Sequence, residues 1–109
     1  MTIANQISIE VKTNQTKAVK ALLNTLVENA LLEKGCQKFE LYQLDKEREY
    51  FFIVEIWKSE KAYNEHCIHE TYLALKTELD PLIETERTRP LKLTQCLSKL
   101  GLKEKKERV

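Results

Sequence analysis

The chain has 109 residues, 42% of them hydrophobic and 32% charged, which predicts one soluble globular domain that buries roughly two thirds of its unfolded surface. Its formal charge of +1 and pI near 7.7 give no electrostatic ground for binding nucleic acid or a membrane surface. No apolar run approaches the ~18 residues needed to span a bilayer.

Alternation over residues 2–11 predicts a first strand. Ile3, Ile7, Ile9 and Val11 share one face, interrupted by Asn5, and Thr2, Gln6, Ser8 and Glu10 share the other. Asn14 is placed to cap a helix running to about residue 34. Val19, Leu22, Leu23, Leu26, Val27, Ala30 and Leu31 recur there at helical spacing. Gly35 is expected to end the helix in the left-handed conformation. Residues 37–44 and 48–57 read as two strands, and the short polar link Asp45-Lys46-Glu47 makes them an antiparallel hairpin. Ser59 is a cap for a helix over 60–67, a second helical segment covers 70–79, and Pro81 marks a turn. Residues 87–96 read as the last strand, with Pro90 restricting it to an edge or a bulge. The domain is assigned to 1–96 and a charged, solvated tail to 97–109. The order β-α-β-β-α-β predicts an α+β, ferredoxin-like fold, with both helical segments on one face of a four-stranded antiparallel sheet.

The third strand is apolar on both faces: Tyr50, Phe52, Val54 and Ile56 on one, Phe51, Ile53, Glu55 and Trp57 on the other. Helices cover one face of such a sheet, so the second predicts a face-to-face homodimer. The alternative is cover by the C-terminal segment of the same chain. Cys36, Cys67 and Cys96 are odd in number and widely spaced, so neither a disulfide framework nor a cysteine-rich zinc site is signalled. Free thiols and a start, Met1 to Gln6, without the basic and apolar regions of a signal peptide predict a cytoplasmic protein.

The corner Glu55-Ile56-Trp57-Lys58-Ser59-Glu60-Lys61-Ala62 resembles the Glu-x-Trp-x-Ser-x-x-Ala signature of the antibiotic biosynthesis monooxygenase domain family, the dimeric α+β barrel group that includes small quinol monooxygenases. Glu33-Lys34-Gly35-Cys36 is similar to the family's Glu-Pro-Gly-Cys turn, with Lys in place of Pro, and Phe39-Glu40-Leu41-Tyr42 to its second strand. His66 and Tyr72, six positions on, resemble its His and Phe pair. The resemblance spans about residues 3–95. It implies the barrel fold, a homodimer and a small-molecule substrate; the near-neutral charge adds the expectation of no nucleic acid or membrane partner. It also implies, for one branch, oxygenation of a quinol or similar enolisable aromatic with no cofactor. Other branches degrade haem or isomerise a phosphorylated sugar. The Trp57-to-His66 spacing is one residue short of the haem branch, and that branch's Asn falls at Ile7, which speaks against haem.

His66 is the candidate proton acceptor by its intrinsic pKa. Trp57 offers a flat wall and one N–H donor, and Asn5 a carboxamide to orient a substrate oxygen. These three are the candidate catalytic residues. Tyr63, Tyr72 and Glu55 are candidate substrate-binding residues, Tyr72 through the resemblance. Each has a plainer reading: Trp57 as core, His66 as a surface residue or cap, Asn5 as a strand-end group. Glu55 needs a partner if buried, and Arg87 and Arg89 are the available mates. His66, Cys67 and His69 lie close in sequence but make no complete ligand set, so no metal is expected. A non-enzymatic dimeric ligand-binding or stress-response module of the same fold is the rival to the oxygenase.

Overall fold

The computed structural model describes residues 1–92; Cys96, the 93–96 end of the expected last strand and the tail over 97–109 lie outside the described residues. The chain runs β1 (Ile3–Val11), α1 (Thr16–Leu31), β2 (Cys36–Gln43), β3 (Tyr50–Trp57), α2 (Glu60–Cys67), α3 (Glu70–Leu79), a 3-10 turn at Asp80–Leu82, and β4 (Ile83–Leu91). The strands form one antiparallel sheet in the order β2-β3-β1-β4. This is the ferredoxin-like arrangement, with its second crossover divided between α2 and α3. β4 starts at Ile83 rather than near 87, directly after the 3-10 turn. Pro90 lies on this edge strand, opposite Asn5.

The buried residues of β3 are Phe51, Ile53, Glu55 and Trp57. With Ile9 and Val11 of β1 they close a core against Val19, Leu23, Leu26 and Ala30 of α1 and Leu75 and Leu79 of α3. The opposite set, Tyr50, Phe52, Val54 and Ile56, is only half-buried, and Phe52 has Tyr42 stacked on it at 4.9 Å. Leu31, expected on the apolar stripe of α1, is exposed.

Both expected ends of α1 differ from the sequence reading. Asn14 is not the cap. It has φ 66°, a left-handed conformation that Asn tolerates, within a turn closed by the Gln15 N–H donating to the Lys12 carbonyl at 3.1 Å. Gln15 is the N-cap residue and makes no side-chain cap bond. At the other end α1 stops at Leu31, and Gly35 has no positive φ. Gly35 is required for space instead: a Cβ there would collide with the Cβ of Ala62, and its carbonyl accepts from Lys58 N–H at 2.9 Å. Gly35→Ala therefore destabilises by about 1–3 kcal/mol as overpacking. Urea denaturation measures the loss, and adding Ala62→Gly makes the two losses less than additive.

Candidate active site

The Ser59 hydroxyl accepts from the Ala62 N–H at 3.1 Å and starts α2 directly after Trp57. About two turns on, this turns His66 inward, where it is 3% exposed. Its ring lies between Trp57, with centroids 4.4 Å apart at 30°, and Tyr72, 4.6 Å away, with Phe39 at 5.9 Å. His66 Nδ1 is 2.8 Å from Glu33 Oε2, whose side chain is 15% exposed. A carboxylate accepts only, so this contact assigns the proton to Nδ1 and leaves Nε2 as the basic nitrogen.

Glu55 is 2% exposed and fully paired. Asn5 Nδ2 donates to its Oε2 at 3.0 Å, and Trp57 Nε1 donates to its Oε1 at 2.9 Å. The expected mates Arg87 and Arg89 are not its partners. They stand in register with Ser8 and Gln6, on the opposite face of the sheet from Asn5. Asn5 is Glu55's direct cross-strand neighbour, and Trp57 is two residues along the same face.

A cavity of about 60 Å³ lies between sheet and helices. Glu55, Tyr63, His66, Cys67 and Tyr72 line it, with aliphatic residues including Ile7, Leu26 and Ile53, and Lys76, Glu86 and Thr88 belong to the same lining. The Lys76 and Glu86 side chains are about one-third exposed and, with the exposed Thr88, put the solvent edge of the lining on α3 and β4. Burial pushes the Tyr63 phenol well up, and its hydrogen bond to Cys67 adds to this. Burial likewise raises Tyr72. Both therefore stay protonated donors near neutral pH. The Cys67 thiol is also raised by burial, which makes it a poor nucleophile. Burial pulls the Lys76 ammonium down, but its hydrogen bonds to Glu86 at 2.7 Å and Asp80 at 3.0 Å outweigh that and hold it above the usual lysine value.

Of the six residues singled out in the sequence, four (Glu55, Tyr63, His66 and Tyr72) line the cavity. Trp57 and Asn5 do not. Trp57 is fully buried behind His66, so it is not a wall for a ligand. Asn5 is spent on Glu55, so its carboxamide does not face a substrate oxygen. Sequence reasoning missed Glu33 as the partner of His66; the signal was its place in the Glu-Lys-Gly-Cys turn. It also missed the pairing of Lys76 with Glu86. His69 is not on a shared helical face with His66: it caps α3, its Nδ1 accepting from Thr71 N–H at 3.2 Å. Among the described residues no group of three or more His, Cys, Asp or Glu is arranged to hold a metal ion. Among them, too, no helix is long and apolar enough to cross a membrane.

The sheet order β2-β3-β1-β4, with α1, α2 and α3 joining the strands, makes the chain a small ferredoxin-like α+β domain. The chain belongs to the antibiotic biosynthesis monooxygenase family, whose model matches residues 2–78. No curated protein matches it in sequence. Among solved structures it is similar to Rv0793 of Mycobacterium tuberculosis, with 20% identity and a TM-score of 0.82 over 90% of this chain and 100% of that one. The protein SO0527 of Shewanella oneidensis gives 25% identity and a TM-score of 0.77 over 83% and 88%. A further structure, named antibiotic biosynthesis monooxygenase, gives 19% identity and 0.80 over 85% and 99%. These likenesses concern the fold.

Proposed function

We propose that the protein is a cofactor-independent monooxygenase that acts on a quinol or similar enolisable aromatic small molecule. The observation that carries this reading is His66: its Nδ1 is held by Glu33, and its ring borders an apolar cavity beside two protonated phenols. His66 Nε2 takes the proton of a substrate hydroxyl. The anion passes one electron to O₂, and the ring-carbon radical and superoxide combine as a peroxide. His66 returns the proton to the peroxide, the ring carbon gives up its hydrogen as the O–O bond breaks, and water leaves. The sum is quinol plus O₂ to hydroxyquinone plus water. Tyr63 and Tyr72 supply hydroxyl donors to the developing oxyanion.

In this reading the protein works in the cytoplasm as a homodimer, closed by the sheet face of Tyr50, Phe52, Val54 and Ile56. The half-burial of these four side chains supports it.

The test is ¹⁸O₂ turnover with a panel of quinols. One labelled oxygen in the product and one in water supports the reading; no O₂ uptake above the buffer blank ends it. The rival reading, a module that binds a small molecule without chemistry, uses the same cavity. At about 60 Å³ it lies below the roughly 150 Å³ that admits benzene. A ring must therefore displace part of the lining.

A further inference from the structure

We infer that this cavity selects uncharged ring compounds and rejects anionic ones, and that Glu86 and Asp80 impose the selection by neutralising Lys76. The inference rests on the cavity being the substrate site. Most of the lining is aliphatic or aromatic. Among the described residues, the charged groups that line it, or that bond to its lining residues His66 and Lys76, are one ammonium, Lys76, and four carboxylates: Glu33, Glu55, Asp80 and Glu86. Among the described residues Lys76 is the one cationic side chain in the lining, and it is spent twice, on Glu86 at 2.7 Å and on Asp80 at 3.0 Å. His66 in its Nδ1–H form carries no charge, and protonating it still leaves carboxylates in excess. The basic residues of β4 do not offset them, because Arg87 and Arg89 alternate onto the other face of the sheet.

A carboxylate, sulfonate or phosphate entering this space gives up its hydration and meets like charges at low dielectric. A neutral quinol meets neither cost. Its anion forms only inside, paired with the imidazolium that has just taken its proton. The cavity thus admits the substrate before ionisation and disfavours compounds already ionised outside.

The experiment compares hydroquinone with hydroquinonesulfonate as ligands under argon, by NMR titration of the wild-type protein and of two variants with folding checked by circular dichroism. Hydroquinone is expected to bind at least about tenfold more tightly than its sulfonate. Glu86→Gln leaves Lys76 with one partner, so the sulfonate gains and the ratio narrows at least about threefold; Lys76→Met widens it. Equal affinity for the two compounds, or a ratio unmoved by both variants, overturns the inference. The same proteins in air separate this from the oxygenase reading. Selective binding without O₂ uptake removes the oxygenase and keeps the selection. Equal binding and oxidation of both compounds removes the selection and keeps the oxygenase. No binding of either at millimolar concentration overturns both.

Discussion

In the proposed oxygenase, Glu33→Gln is expected to lower quinol oxygenation by about 10²–10⁴-fold, the range for a general base that loses the carboxylate orienting it. The Glu33 carboxylate, 2.8 Å from His66 Nδ1, fixes the proton on that nitrogen, and in the proposed mechanism it stabilises the imidazolium once Nε2 has taken a second. Gln removes the charge. Where its amide NH₂ faces the ring it also donates to Nδ1, which moves the imidazole proton to Nε2 and takes the basic lone pair away from the cavity. Where its carbonyl faces the ring the tautomer survives, but the imidazolium is no longer paired. Both arrangements slow proton removal. Loss of His66 itself, in His66→Ala, abolishes the base and sets the floor of the comparison.

A purely structural contact predicts something else. Glu33 lies near the surface, so losing one of its hydrogen bonds costs stability by only about 1 kcal/mol and leaves the rate of the folded fraction unchanged. ¹⁵N NMR of the His66 ring decides between the two without any assay of turnover. It reports Nδ1–H in the wild type and, in Glu33→Gln, a shift toward Nε2–H to the extent that the amide NH₂ faces the ring. An Nε2–H signal in the wild type, or a Glu33→Gln rate within about threefold of native, would contradict the positioning role.

Much of this architecture was legible because it is written in local patterns. Two-residue alternation marked β1 and β3, and helical spacing marked α1. The Ser59 cap located α2 to the residue. What local pattern cannot carry is pairing. Glu33 and His66 are 33 positions apart and meet only because the turn after α1 comes back over the end of α2. The partner of Glu55 was sought among the nearest cations by charge, but register decides it. Asn5 is opposite Glu55 across β1 and β3, whereas Arg87 and Arg89 fall on the far face of β4. Gly35 was correctly singled out and wrongly explained. Its role is set by the approach of Ala62 from α2, a tertiary constraint with no trace in the residues flanking it. Trp57 was expected to face a ligand because it ends a strand at a corner. The stacking of His66 on the indole, which turns it into a backing wall, depends on the pitch of α2 against the sheet.

Glu55→Leu destabilises the protein by about 2–6 kcal/mol, since it orphans two buried donors at once, each costing about 1–3 kcal/mol. These are the Asn5 carboxamide and the Trp57 indole N–H, both closed off from solvent with Glu55 as their recorded acceptor. Leu is close in size to Glu, so cavity formation adds little and the loss isolates the polar network. Repairing the orphans one at a time tests this account. Adding Asn5→Leu removes one unpaired donor and Trp57→Phe removes the other, so the triple variant recovers most of the loss, as expected when both sides of a buried polar contact become apolar together. Urea denaturation at fixed protein concentration measures the series, because association of the chain would make stability depend on concentration. A Glu55→Leu protein as stable as the wild type would show that the network contributes nothing net. Trp57→Phe alone is milder: the phenyl ring retains part of the contact with His66, and one oxygen of Glu55 loses its donor while the other still accepts from Asn5. The order Glu55→Leu, then Trp57→Phe, then the triple variant, from largest loss to smallest, identifies Glu55 as the shared acceptor on which the indole behind His66 is held.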